Sequence, residues 1–145
     1  MTVTLKVIGV DHVTKRYRRI ALEQLDEMGK ALAISGLELQ GQCRALISRG
    51  ARSGKQRKKG GRSSAPGEPP KTDTGRLVSN IFSILASDRQ SVEVGTDINY
   101  GRFLEFGTSK MAARPWLHPT YQKIKPRIEE RLRRAFKKAN RDAAQ

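Results

Sequence analysis

Residues 100–120 read YGRFLEFGTSKMAARPWLHPT, and this stretch decides how the rest of the chain is arranged. Its first part holds three large apolar residues between two glycines, which favours a β-strand over residues 102–106. A polar connection follows, and then the chain's single tryptophan stands between two prolines, which restrict the backbone and offer an apolar anchor. The stretch therefore predicts a strand, a loop and the fixed start of a helix.

Upstream of this stretch, the hydrophobic pattern predicts a short strand and one long helix. Residues 2–8 alternate between polar and apolar side chains, as a half-buried strand does. From residue 12 to about residue 49, apolar side chains recur at steps of mostly three, four or seven, which is typical of a helix with one apolar face. Each glycine inside such a helix costs roughly 1 kcal/mol relative to alanine. A break near Ser35–Gly36 therefore stays open.

The second half of the chain predicts a small sheet and a final helix. The apolar cluster that begins at Leu77 fits a short helix or a strand, and strands are predicted at 80–86 and 91–96 around a hairpin turn. With residues 102–106 they suggest an antiparallel meander. A helix is predicted over 120–139, with Pro126 either kinking it or marking its first turn, and a frayed tail over 140–145. The expected fold class is α+β.

Bulk composition indicates one strongly basic domain over residues 1–145. The net charge is +15, from 29 Lys and Arg against 14 Asp and Glu. Such a charge attracts polyanions, whether nucleic acid, an anionic membrane or an acidic protein surface. No apolar run reaches the length of a membrane span and no signal peptide is recognised, which predicts a cytoplasmic protein. One cysteine, Cys43, excludes an internal disulfide and a multi-cysteine metal site.

Residues 50–72 are rich in glycine, serine, proline and positive charge, which predicts a mobile basic loop with almost nothing to bury. The glycine spacing and the residue after Lys55 do not match a phosphate-binding P-loop. Two interpretations stay open for the loop: a solvated, solubilising segment, or an arm that contacts phosphates. The candidate contact residues are Arg52, Lys55, Arg57, Lys58, Lys59 and Arg62.

No constellation of catalytic residues is recognised in the sequence, so the chain is predicted not to be an enzyme and to need no cofactor or metal. His12 and His118 lack ligand spacing, and Cys43 falls on the apolar face of the long helix. Glu105 is open to two interpretations. It is a general base, or, as we favour, it forms an ion pair with Arg102 or Arg114 or a subunit contact.

Two motifs of this chain resemble those of a known family, the neck (head–tail joining or tail-completion) proteins of long-tailed bacteriophages and prophages. That family has Tyr-Ala-x-x-x-Glu-x-Gly-Thr followed by Pro-Phe-Leu-x-Pro. Here the residues are Tyr-Gly-Arg-Phe-Leu-Glu-Phe-Gly-Thr and Pro-Trp-Leu-His-Pro, so Gly101 replaces alanine and Trp116 replaces phenylalanine. The second motif is a proline, a polar spacer and Thr-Gly-x-Leu before a Ser-Ile strand. It is matched by Pro70, Thr74, Gly75, Leu77 and Ile81, with Asn80 in place of serine.

The resemblance implies a virion protein, assembled in the host cytoplasm, that forms a homo-oligomeric ring, expected to be a hexamer, between head and tail. Its partners would be the head-side connector, the tail terminator or tail tube, and genomic DNA in the channel, with no membrane. A surface that contacts neighbouring subunits or partners is expected at Tyr100, Arg102, Phe103, Glu105, Phe106, Arg114 and Trp116. Trp116 has a second interpretation, as a plug in the core. The alternative function is a free basic nucleic-acid-binding protein, and a nuclease or hydrolase is the third.

Overall fold

A computed structural model describes residues 10–56 and 61–143, with α+β architecture as predicted. Two long helices pack on a small antiparallel hairpin, and two short helices connect the parts. The elements in chain order are α1 Val10–Arg49, α2 Arg76–Ser79, β1 Ile81–Leu85, β2 Val92–Thr96, α3 Asn99–Phe106 and α4 His118–Ala143. The predicted strand at residues 2–8 lies outside the described residues.

The predicted long helix is confirmed, and α1 runs through Ser35–Gly36 without a break. The hydroxyl of Ser35 donates to the carbonyl of Ala31 at 2.7 Å, within the helix. Gly36 is required by tight packing, because a Cβ atom there would lie 2.5 Å from Cγ2 of Val92. The glycines that weaken the helix pattern therefore allow the hairpin to approach the helix closely.

Helix α4 lies antiparallel to α1, and charged side chains join the two helices along their length. Glu38 of α1 pairs with Arg127 at 3.0 Å and with Arg131 at 2.5 Å. Further along, Glu27 of α1 pairs with Lys138 at 2.8 Å. Earlier residues of α1 thus pair with later residues of α4. One core holds the molecule together, formed by Leu39, Cys43, Ile47, Leu77, Ile81, Trp116 and Ile124.

The C-terminal helix is longer than predicted. It begins at His118 and continues past Pro126, so this proline lies inside the helix and does not mark its first turn. Residues 140–143 are helical, which corrects the predicted frayed tail, while 144–145 lie outside the described residues. Ile124 of this helix is fully buried in the core.

The hairpin is confirmed at the predicted positions. Strands β1 and β2 pair antiparallel, with Ser83 opposite Val94. The turn is closed by the amide of Ala86, which donates to the carbonyl of Ser91 at 2.9 Å. In β2, Val92 and Val94 are half-buried, and Glu93 between them is exposed.

The predicted strand at 102–106 is wrong, and so is the three-stranded meander that included it. This segment is helix α3, and the sheet of the described residues has two strands. Gly101 and Glu105, four residues apart, form the buried face of α3, a spacing that suits a helix and not a strand. Gly107 ends α3 with φ of 76°, and its amide donates to the carbonyl of Phe103 at 2.9 Å.

Candidate functional site

Glu105 connects α3 to the start of α4, and it does so with both oxygens of its carboxylate. One oxygen accepts the amides of Trp116 at 2.7 Å and Leu117 at 2.9 Å, and the other accepts the amide of His118 at 2.8 Å. The first amides of a helix lack partners within it, and the helix dipole favours a negative charge there. Glu105 is thus a capping residue supplied from another helix, and it is buried.

This geometry gives Glu105 a capping role that the sequence did not predict, and it corrects the favoured interpretation. Among the described residues its partners are three backbone amides and no arginine, so the predicted ion pair with Arg102 or Arg114 is wrong. Its burial also removes it from any surface offered to a neighbouring subunit. Both oxygens of this carboxylate are engaged in holding the start of α4.

Trp116 is the plug of the core. Only 2% of it is exposed, and its indole Nε1–H donates to the carbonyl of Gly101 at 3.1 Å. The carbonyl of Trp116 accepts the hydroxyl of Thr120 at 2.6 Å, which fixes the first turn of α4. Trp116 is therefore unable to act as the predicted interface anchor in this fold.

The other predicted interface residues remain at the surface. Phe106 is 77% exposed and Phe103 48% exposed, and both lie with Tyr100 on the outer side of α3. Arg102 is exposed beside them. Arg114 is half-buried: its amide donates to the carbonyl of Leu104 at 2.6 Å, while its Nε finds no partner in the described part of the chain. We call Tyr100, Phe103 and Phe106 the aromatic face of α3.

A groove of about 700 Å³ lies between α1, β2, α3 and the start of α4. Its lining is largely apolar and includes Leu32, Leu39, Val94, Leu117 and Ile128. Sequence reasoning missed this groove because it placed a third strand at 102–106, beside β2. The helix that forms there instead leaves the space next to β2 open.

The two arms of the basic loop are joined by backbone hydrogen bonds. The amide of Gly54 donates to the carbonyl of Ser63 at 2.8 Å, and the amide of Ser63 donates to the carbonyl of Lys55 at 3.1 Å. Ser64 and Pro70 are buried, so the expectation that the loop has almost nothing to bury is wrong for them.

The paired arms of the loop carry its basic side chains into solvent. Arg52, Lys55 and Arg62 are exposed, and the bridge between Gln56 and Arg62 holds the two arms side by side. The other candidates for phosphate contact, Arg57, Lys58 and Lys59, lie outside the described residues. Lys55 and Arg62 thus lie at neighbouring positions on the two paired arms of the loop.

Groups able to do chemistry are few in the described ranges. Cys43 is fully buried in the core, as predicted, and burial raises the pKa of its thiol to about 11. His12 and His118 are exposed and lie on different helices. Across the described residues, no three side chains of His, Cys, Asp or Glu meet as metal ligands would. None of the helices there has the length and hydropathy needed to cross a membrane.

No protein-family model, curated protein or solved structure matches this chain. The phage-neck resemblance therefore remains a hypothesis carried by the residues of its two motifs.

Proposed function

We propose that this protein is a structural component of the neck of a long-tailed phage. Six copies would form a ring that completes the tail or joins it to the DNA-filled head. The proposal assigns no enzymatic activity and no cofactor. It rests on the two motifs that resemble the neck family, and the structure gives both of them a shared physical role.

The observation that carries the proposal is that the two motifs meet in one junction. A Cβ atom on Gly101, in the first motif, would lie 3.2 Å from Cδ1 of Leu77, in the second motif. Leu77 and Trp116 belong to the same buried core. Gly75 precedes α2 with φ of 75°, a conformation that favours glycine. The motif residues thus build the connection that fixes α2, α3 and α4 together.

The two departures from the family pattern are compatible in this junction. Alanine at position 101 would place its Cβ atom 2.5 Å from Cγ2 of Thr96, so glycine is needed here. The larger indole of Trp116 lies over that glycine and donates a hydrogen bond to its carbonyl. Glycine in place of alanine and tryptophan in place of phenylalanine therefore fit the same site.

In this proposal, the aromatic face of α3 contacts neighbouring proteins, and the basic loop faces the DNA channel. Exposed aromatic side chains are enriched at protein interfaces. Lys and Arg side chains on a loop bind phosphates without reading sequence, which suits DNA that moves through a channel. Its neighbours would be the head-side connector and the tail terminator or tail tube.

Labelling of intact particles tests the proposal. Antibodies against this protein, coupled to gold, should mark the junction between head and tail in purified virions of the phage that encodes it. Mass spectrometry of the same virions should find the protein at a few copies per particle. Virions that lack the protein, or gold distributed away from the junction, would contradict the proposal.

The net charge of +15 favours one alternative, a free nucleic-acid-binding protein. That function predicts tight binding of DNA or RNA by the isolated protein, with an affinity that falls steeply as salt rises. The neck function predicts that the isolated protein binds DNA or RNA weakly at physiological salt. Titration of labelled duplex DNA with the protein at two salt concentrations separates the two functions.

A further inference from the structure

One edge of the hairpin is open and faces the groove. The pair formed by Ala86 and Ser91 is hydrogen-bonded, so the backbone groups of Val92, Val94 and Thr96 point away from β1. In the described residues no strand pairs with this edge of β2. The opposite edge is different, because the carbonyl of Ile81 accepts Gln40 at 2.6 Å and Arg44 at 2.7 Å, both from α1.

The open edge and the groove together have the shape and chemistry of a site for one more strand. Val92, Val94 and Thr96 line the groove on one side, and Leu32, Leu39 and Ile128 line it on the others. A two-stranded hairpin is marginal alone and gains stability from a third strand with an apolar face. A strand laid along β2 would form backbone hydrogen bonds and place every second side chain in the groove.

The chain itself contains a segment with the required pattern. Residues 2–8 read TVTLKVI, with Val3, Leu5 and Val7 alternating with the polar residues Thr2, Thr4 and Lys6 before Ile8. These residues lie outside the described part of the chain. Their alternation is what a strand needs if one of its faces enters an apolar groove.

The segment is too short to reach the groove of its own chain. The nearest residue of α1 in the groove is Leu32, about 33 Å along the helix axis from Val10 at 1.5 Å per residue. Residues 2–9 span at most about 29 Å when fully extended. Only a second copy of the chain can therefore place this segment in the groove.

Helix α1 extends past the last described residues of α4. The side chain of Gln24 bonds to Asn140 near the end of α4, and α1 continues beyond this contact toward Val10. On this projecting part, residues 12–19 are exposed, including Val13 and Tyr17, which is 70% exposed. The part of α1 that follows the segment in sequence is therefore accessible to a neighbouring copy.

We propose that residues 2–8 of one copy dock along β2 of the next copy, as the third strand of its sheet, with Leu5 in the groove. This contact is head-to-tail, so repeating it gives a closed ring or a filament. The inference rests on the proposed function only for closure into a neck ring. Docking itself is tested on purified protein, so it can fail while the neck assignment stands, and the reverse also holds.

Disulfide trapping between two different variants tests the contact. All variants carry Cys43→Ala. One protein carries Leu5→Cys, and its partner carries a cysteine at one of the three groove positions of β2: Val92→Cys, Val94→Cys or Thr96→Cys. Mixed under mild oxidation, at least one pair should give a disulfide-linked product of twice the chain mass. The matched control is Thr4→Cys. Its cysteine would lie on the opposite face of the docked strand and should give little disulfide-linked product.

Two results of this experiment would overturn the inference. One is equal trapping by Leu5→Cys and Thr4→Cys, or trapping by neither. The other is a disulfide that forms within single chains when Leu5→Cys and Val94→Cys are combined and the protein is diluted, because that would show that the segment reaches its own groove.

Self-association of the full chain gives a second measurement. Analytical ultracentrifugation should show that Leu5→Asp weakens association by about tenfold or more, the factor expected when one leucine side chain is no longer buried. Thr4→Asp introduces the same charge on the other face and should change association much less. Unchanged association of Leu5→Asp, with a circular dichroism spectrum like that of the parent, would contradict docking.

Discussion

At the scale of single residues, the fold depends most on Glu105. Its carboxylate accepts three amides at the start of α4 while it belongs to α3, so one side chain sets the position of two helices. Trp116, whose amide is one of the three, closes the core below it. A buried charge of this kind stabilises only while all its partners are in place.

We expect Glu105→Gln to lower the free energy of unfolding by about 2–3 kcal/mol, because the amide keeps the size but loses the charge and one acceptor oxygen. Glu129→Gln is the matched control. Glu129 is exposed on α4 and pairs with Lys125 at 3.8 Å, so its loss should cost less than about 0.5 kcal/mol. Urea denaturation of both variants measures the difference, and equal values would contradict the capping role.

Cys43 gives the molecule a pH dependence in the alkaline range. Burial raises the pKa of its thiol from 9.0 to about 11, so between these values the unfolded chain loses a proton that the folded chain keeps. The titration of Cys43 should therefore leave stability independent of pH below this window and lower it as pH rises through the window. Comparing the parent with Cys43→Ala from pH 8 to pH 11 isolates the effect. Parallel curves for the two proteins would refute it.

At the scale of elements, the glycines of α1 differ in purpose. A Cβ atom on Gly36 would lie 2.5 Å from Cγ2 of Val92, whereas one on Gly41 would meet nothing within 4 Å. Replacing either glycine with alanine removes the conformational freedom of a glycine from the same helix. Any difference between them therefore reports packing against the hairpin.

We expect Gly36→Ala to destabilise the protein by about 1–3 kcal/mol through overpacking. Gly41→Ala should stabilise it by about 0.5–1 kcal/mol, the usual difference between glycine and alanine in a helix. Thermal denaturation followed by circular dichroism measures both. Stabilisation by Gly36→Ala would show that the hairpin does not contact α1 as described.

The helices and strands also show what the sequence can predict. Apolar spacing predicts α1 and α4, and alternation predicts β1 and β2, because these patterns follow from packing against one core. The sequence misleads at α3. There Phe103 and Phe106 favour a strand but remain exposed, while Gly101 and Glu105 form the buried face. In this eight-residue helix, the aromatic composition gave a stronger signal than the four-residue spacing of the buried pair.

The candidate site was less predictable than the elements. The partners of Glu105 lie 11 to 13 residues away and are backbone amides, which leave no trace in side-chain patterns. The groove exists only because α3 is a helix, so an incorrect element concealed it. The exposed basic residues, by contrast, follow directly from composition.

At the scale of the whole molecule, the net charge is +15, and the neck proposal requires that the basic loop binds DNA in the channel. Replacing the loop residues Lys55, Arg57, Lys58, Lys59 and Arg62 with glutamine should reduce DNA retention in particles. The control removes five charges elsewhere, at the exposed residues of α4: Lys123, Lys125, Arg133, Arg134 and Lys137. Equal loss of packaged DNA in both, measured by quantitative PCR of nuclease-treated particles, would exclude a specific role for the loop.

The central claim is that this protein joins tails to filled heads. The most direct measurement is electron microscopy of lysates from the phage or prophage after deletion of this gene, with and without a plasmid copy. We predict filled heads beside unattached tails, and restoration of tailed particles by the plasmid copy. Normal tailed, infectious particles in the deletion lysate would contradict the claim.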